Sequence, residues 1–366
     1  MSLSRKPLEA ALSRRADPGT GKDLLSLTDK LTIDGDLVSI TLALPYPFAS
    51  LVDELKALVV DALSEGGAGR IAYDFILRVP RGKPTNAVEA VPPIKNVIVV
   101  ASGKGGVGKS TTAVNLALAL ASEGARVGIL DADIHGPSIP TMLGLFNQRP
   151  KILKSDDPKD ETGGAFVPLE AHGIQAMSIG FLVDDSNPVV WRGPKVTGAL
   201  LQLFGQTAWQ DLDYLVIDMP PGTGDLQLTL AQRIPVSGAV IVTTPQDIAL
   251  LDAKRGIEMF RKVNIDVLGV VENMALHVCS NCGHEEAVFG EGGGERIARE
   301  YQTELLGQLP LDRRIREQAD SGRPSVIAEP EGPAATHYRR IARRIAVKLT
   351  AHEAVPRNRI GFFTPR

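Results

Sequence analysis

Cysteine is almost missing from this chain, with two in 366 residues. That excludes a disulfide framework and fits a reducing compartment. No apolar run approaches the ~20 residues of a membrane-spanning helix, so stable membrane association is not expected. No excess of basic charge is present either: 40 Lys and Arg stand against 43 Asp and Glu, a net charge of −3. Electrostatics therefore gives no reason to expect nucleic acid as a partner. The opening MSLSRKPLEAALSRR has no apolar signal core, and the expected location is cytoplasmic. What remains is an ordinary globular composition, 43% hydrophobic, long enough for one large α/β domain and a small one.

The chain is rich in chemistry at one place. Gly103-Lys104-Gly105-Gly106-Val107-Gly108-Lys109-Ser110 meets the pattern G-x-x-x-x-G-K-[ST] at Gly103, Gly108, Lys109 and Ser110. Glycines let the backbone curl so that N–H groups converge on phosphate oxygens. Lys109 is expected to reach the β- and γ-phosphates, and the Ser110 hydroxyl to bind Mg²⁺. Asn96–Val100 reads as a buried strand. Thr111 to Ala121 reads as a helix whose N-terminus faces the phosphates. That context argues against a plain glycine turn. Lys104 is less usual. Lys109 already serves the loop's own phosphates, so a second cation pointing outward either meets solvent or touches a second nucleotide across a dimer.

Three aspartates complete the reading. Asp131 and Asp133 follow a strand in RVGILDADIHGPSIP, and Tyr214-Leu-Val-Ile-Asp218 is an apolar strand ending in a carboxylate. Strand-end carboxylates of a parallel sheet lie beside the phosphate loop. Asp133 is the candidate to orient the attacking water, with Lys104 and Lys109 as catalytic cations. Asp218 is the candidate second Mg²⁺ ligand beside Ser110. The bland alternative for each aspartate is a cap or turn residue. PPGTGD (220–225) is a loop fit to follow the γ-phosphate.

The expected fold is a doubly wound, mostly parallel α/β P-loop NTPase domain preceded by a small α+β domain. Residues 1–80 form the small domain: a helix at 8–15, two strands split by Asp34-Gly35, a helix after Pro47 ending at Gly66-Gly67, and a last strand IAYDFILRV. Residues 81–94 are a Pro-containing linker, 95–353 the large domain and 354–366 a tail. Candidate strands of the large domain are 96–101, 126–130, 214–218, 238–243 and 265–271, with an irregular excursion at 145–170. A basic helix over 332–351 is expected to cover the domain.

Both cysteines fall in Cys279-Ser-Asn-Cys282, a coincidence expected in only about 0.5% of random placements. Two thiolates so spaced can bind one metal centre. A four-thiolate cluster needs a second pair, which a two-fold dimer supplies. Zinc is the rival, with His284 and His277 as further ligands.

Lys104 to Thr112 (KGGVGKSTT) resembles the deviant P-loop ATPases, which dimerise face to face around ATP and have the first lysine as their signature. By that resemblance Asn273, Pro310 and Asp312 stand at base-contacting positions, and Gly103 to Thr111, including Gly105, Gly106, Val107 and Thr111, cradle the nucleotide. Turn residues are the alternative at Asn273 and Asp312. Residues 273–298, with DADIHGPSIP, WRGPKVTGAL and DMPPGTGDLQLTL, are similar to the Mrp/ApbC family of iron–sulfur cluster carriers. DPGTGKDLLSL is similar to the module that accompanies iron–sulfur assembly factors. Some of those modules carry a cysteine before the second helix, where Leu44-Pro-Tyr-Pro-Phe48 has none. The resemblance implies a homodimer with ATP, Mg²⁺ and a labile [4Fe-4S] cluster, delivered to apo iron–sulfur proteins from a cluster-assembly scaffold. The alternatives are a MinD/ParA-like positioning ATPase and a zinc-stabilised, nucleotide-dependent scaffold.

Overall fold

The computed structural model describes residues 3–85, 93–134, 136–154, 164–182, 193–279 and 281–351. The linker's 86–92 and the whole tail lie outside the described residues.

The N-terminal unit begins with α1 (Arg5–Leu12), which buries Leu8, Ala11 and Leu12. It ends three residues earlier than the sequence suggests, because Arg14 and Arg15 leave the helix to reach Glu65. Strands β1 (Thr28–Asp34) and β2 (Leu37–Leu44) form an antiparallel hairpin, with Asp34 opposite Leu37. Gly35 turns it at φ +63°, a conformation glycine adopts without steric cost. Helix α2 (Val52–Glu65) crosses to β3 (Arg70–Leu77), which runs parallel to β2. The alternating burial of β2, with Val38, Ile40, Leu42 and Leu44 inside, closes a small aliphatic core against α1 and α2.

The large unit starts at β4 (Asn96–Ala101), every residue of which is buried. That continuous apolar run is what a strand covered on both faces requires. After the phosphate loop come α3 (Lys109–Ser122), β5 (Val127–Asp131), a short α4 (Ile139–Met142), a ribbon of β6 (Ile152–Leu153) and β7 (Ala165–Phe166), then β8 (Leu169–Ala171) and β9 (Ile174–Ser178). The chain continues through α5 (Gly193–Gln206), β10 (Tyr214–Asp218), α6 (Asp225–Arg233), β11 (Gly238–Thr243), α7 (Asp247–Lys262), β12 (Val267–Val278) and β13 (Glu285–Glu286). It ends in α8 (Gly293–Glu300), β14 (Leu305–Pro310), α9 (Arg313–Asp320), α10 (Ser325–Ala328) and α11 (Pro333–Thr350).

One nine-stranded sheet runs in the order β13-β12-β11-β4-β10-β5-β9-β8, with β14 also paired to β12. The pairs joining β14, β12, β11, β4, β10, β5 and β9 are all parallel, and β8 and β13 are antiparallel additions. This is the doubly wound, mostly parallel sheet the sequence implied. Its order reverses around β4, so the loop after β4 lies at the ligand-binding crevice. Several strands differ from expectation. The short β6, β7 and β8 fall in or at the end of the stretch expected to be irregular, and β9 and β13 lie outside the candidate strands, β9 having Gln175 among its five residues. β12 runs on past 271 because β14 and the hairpin partner β13 extend its ladder.

The basic helix α11 covers the domain, burying Tyr338, Ile341, Ala342, Ile345 and Leu349 while Arg344 and Lys348 pair with Glu304. The two units meet at the far end of α3. The backbone carbonyl of Glu123 accepts from Phe48 N at 3.1 Å and Ala49 N at 3.2 Å. Its fully buried carboxylate accepts from Ser50 N at 3.1 Å and from Arg343 at 3.2 Å. Charge-assisted hydrogen bonds of this kind stabilise more than neutral ones. Glu123→Ala should therefore lower stability by about 2 kcal/mol and expose the junction between the units, read as a lower thermal midpoint and faster proteolysis after Phe48.

Candidate nucleotide and thiol site

The phosphate loop leaves β4 and ends at the N-terminus of α3. Gly106 and Gly108 both adopt φ +81°, a left-handed conformation that side chains other than glycine rarely tolerate. A Cβ on Gly103 would stand 2.0 Å from the Asp252 carbonyl oxygen, and one on Gly108 would stand 2.2 Å from Asn273 Nδ2. Ser102 Oγ donates to the Lys104 carbonyl at 2.8 Å. Gly222 N donates to the Ser102 carbonyl at 2.9 Å, which joins the PPGTGD loop to the same corner.

Charges gather at the ends of β4, β5 and β10. Lys109 Nζ lies 2.5 Å from Asp218 Oδ1, 3.7 Å from Asp133 Oδ2 and 3.2 Å from Ser110 Oγ. The structure thus brings together Lys109, Ser110, Asp133 and Asp218. Asp218 Oδ2 is buried without a hydrogen-bond partner. A buried orphan carboxylate oxygen beside a serine hydroxyl is the donor pair a Mg²⁺ ion takes in P-loop proteins. Asp131 is fully buried. Desolvation and the neighbouring Asp218 push its carboxyl up to about 7. Its oxygens accept from Asp133 N at 3.1 Å, Ile139 N at 3.2 Å and Ser178 Oγ at 3.0 Å. Asp131 therefore fixes the backbone on which Asp133 sits. Ser178, on the unforeseen β9, is the residue sequence reasoning missed, and no motif marks it. Asp225 opens α6 as a first-turn acid, favourable at a helix N-terminus.

A cavity of about 720 Å³ adjoins the loop and is lined by Gly108, Thr111, Asn273, Pro310 and Asp312 among others. The residues singled out as base-contacting positions thus face one space with the loop's backbone. Two of them have local duties as well. Asn273 Nδ2 donates to the Val107 carbonyl at 2.9 Å, and its Oδ1 accepts from Met274 N at 2.9 Å. Asp312 caps α9 through Arg314 N at 2.8 Å, and the Arg314 guanidinium holds its carboxyl below the usual carboxylate range. Lys104 has no carboxylate partner among the described residues.

The cysteines sit at the tip of the hairpin made by β12 and β13. Cys279 N donates to the His284 carbonyl and Gly283 N to the Cys279 carbonyl, both at 2.9 Å. Cys279 is half-buried and Cys282 exposed. The backbone N–H groups of Asn281 and Cys282 lower the Cys279 thiol pKa, with smaller help from the Cys282 side chain. A thiol so placed is readier to act as a thiolate ligand. His277, a proposed zinc ligand in the rival reading, bonds the Leu311 carbonyl through Nδ1 at 3.0 Å. No three His, Cys, Asp or Glu residues converge to hold a metal among the described residues. The hairpin's base is close to the nucleotide loop, since His277 and Val288 line the same cavity as Gly108.

Loop, lysine, buried aspartates and sheet define a P-loop nucleotide-binding protein. The profile of the NUBPL iron-transfer P-loop NTPase family matches residues 93–346, and that of an iron-sulfur cluster assembly protein family matches 5–71. The chain belongs to the NUBPL iron-transfer P-loop NTPase family. It is 67% identical over 250 residues to the iron-sulfur cluster carrier protein of Pseudomonas fragi, covering 68% of this chain and 84% of that one. The Escherichia coli K12 iron-sulfur cluster carrier protein is 53% identical over 315 residues, 86% of this chain and 83% of the relative. Among solved structures, an ADP-bound nucleotide-binding protein from Archaeoglobus fulgidus matches at TM-score 0.56 and 40% identity, over 66% of this chain and 90% of that one. No helix among the described residues is long and apolar enough to cross a membrane.

Proposed function

We propose that this chain is an ATP-dependent carrier of iron–sulfur clusters. The observation that carries the reading is the thiol pair Cys279 and Cys282 at a hairpin tip whose base lines the nucleotide cavity. Two thiolates from each of two copies complete the four ligands of a [4Fe-4S] cargo. Half-sites on an exposed turn suit release to apo-proteins better than a closed structural centre does. The cluster-carrier names of the relatives support the same cargo.

In the phosphate cradle, backbone N–H groups of Gly105 to Thr111 hold the nucleotide. Lys109 neutralises charge developing on the γ-phosphoryl group, and Asp133 orients the attacking water. Mg²⁺ on Ser110 and Asp218 would supply further neutralisation of the phosphate oxygens. Asn273, Pro310 and Asp312 place the base. Lys104 acts on the nucleotide of the second copy.

Anaerobic reconstitution with iron and sulfide, followed by iron, sulfide and zinc assays, tests the cargo. Acid-labile sulfide with iron supports the carrier. Stoichiometric zinc that resists exchange for iron overturns it in favour of a zinc scaffold. For Lys104, alanine should slow hydrolysis by about 10²-fold while nucleotide affinity stays within about two-fold, because the cation acts late and across the dimer. An equal loss in binding and turnover would make it a ground-state contact instead.

A further inference from the structure

The second half of β12 runs from a contact with the phosphate loop to Val278, the residue before the first cysteine. Asn273 stands six positions before Cys279, and its Nδ2 grips the Val107 carbonyl at 2.9 Å. The peptide unit is planar and trans, so the Val107 carbonyl and the Gly108 N–H point in opposite directions. By holding the carbonyl, Asn273 fixes where the Gly108 N–H donor points. The contact is close on both sides, since even a methyl group on Gly108 would collide with Asn273 Nδ2 at 2.2 Å.

The next residue, Met274, has φ +56°, an uncommon and mildly strained conformation for a residue with a side chain. It is held there by the Asn273 side chain, whose Oδ1 accepts the Met274 N–H at 2.9 Å. The ladder between β12 and β14 shifts register over this stretch, between Glu272 and Leu276. Before it, Glu272 is locked by Gly294 N at 2.7 Å and Gln308 Nε2 at 2.6 Å. Beyond it, Leu311 N donates to the Leu276 carbonyl at 2.8 Å and His277 bonds the Leu311 carbonyl at 3.0 Å. The segment 273–278 is thus tied at one end to the phosphate loop, along its side to the 310–312 loop of the nucleotide cavity, and at its other end to Cys279.

We propose that residues 273–278 are a crank, in which Asn273 and His277 are positioning residues that make the geometry of the Cys279–Cys282 pair depend on nucleotide. Nucleotide that draws the Gly108 N–H toward a phosphate oxygen moves the Val107 carbonyl. Asn273 follows, the left-handed turn at Met274 relaxes, and the displacement passes down the strand to the thiols. This deepens the carrier reading and rests on its nucleotide site, but not on the cargo.

Both cysteines of the chain lie in the hairpin, so thiol chemistry reports on it without further labelling. The probe is the alkylation rate of the native thiols in the full-length, cluster-free protein, with and without a saturating non-hydrolysable ATP analogue plus Mg²⁺. Saturation is established separately for each variant. The wild type should show at least about a five-fold change in rate with nucleotide, the lower edge of ordinary allosteric coupling. In Asn273→Ala and in His277→Phe that ratio should fall to within about two-fold of unity, whatever happens to the basal rate. A residue that merely supports the hairpin would change both rates together and leave the ratio alone. A wild-type ratio of one overturns the crank, and variants that keep the wild-type ratio overturn these residues as its path. If thiols respond to nucleotide but no cluster can be reconstituted, the cargo assignment fails and the crank stands.

Discussion

Lys109→Ala should reduce ATP hydrolysis by about 10³-fold or more. The ammonium lies 2.5 Å from Asp218 and 3.7 Å from Asp133, in a site where Asp131 is buried as well. The Lys109 side chain is only 6% exposed, so its removal takes the same chain's cation from beside the charge accumulating on the γ-phosphoryl oxygens, where a low dielectric makes it most effective. The same substitution leaves the Asp218 carboxylate buried with neither its ion pair nor a partner for Oδ2. Burial already raises the Asp218 pKa against the opposing pull of Lys109, and loss of the lysine removes that opposition. Phosphate release by the purified variant, with circular dichroism to establish folding, reads the outcome. Turnover at the wild-type rate in a folded Lys109→Ala protein would remove the loop from catalysis.

Cys279→Ser and Cys282→Ser should each abolish the reconstituted cluster. Serine keeps the size of cysteine but offers a hard, protonated oxygen in place of a soft thiolate. One thiolate per chain would leave two at the proposed paired site, which needs four. The wild type should bind about four irons per two chains and absorb broadly near roughly 400 nm. Neither side chain belongs to a core cluster, and the hairpin is held by backbone hydrogen bonds that serine preserves. The fold should therefore survive both changes. Full iron content in either single variant would place the ligands elsewhere.

The parts of this protein that could be read from sequence are those where one residue type has one job. The phosphate loop demanded glycine at left-handed positions and received it at Gly106 and Gly108. The central strands were visible because a strand covered on both faces can hold little but aliphatic residues, as in β4 and β10. Asp131 and Asp218 stood out because each ends such a strand, and Asp133 because it follows one by two residues. Ser178 was invisible because a serine has many uses, and only the parallel pairing of β9 with β5 brings it to Asp131. Asn273 was noticed as a possible base contact, yet its bond to Val107 spans 166 positions and no local pattern encodes it. The grip of Glu123 on the N-terminal unit has the same character, since its partners are main-chain groups that any residue supplies.

The helix carrying the phosphate loop has almost no outer face. From Thr112 to Leu120 every residue of α3 is buried, and Tyr338 and Ile341 of α11 are buried over it. A rod enclosed along its length cannot tilt or turn without opening voids, and each methyl-sized void costs about 1 kcal/mol. Stiffness is thus distributed by enclosure: α3 acts as an anvil against which phosphate is held. Displacement is left to segments with solvent on one side, the PPGTGD loop and the cysteine hairpin. A nucleotide-driven machine built on this plan does its work at its rim.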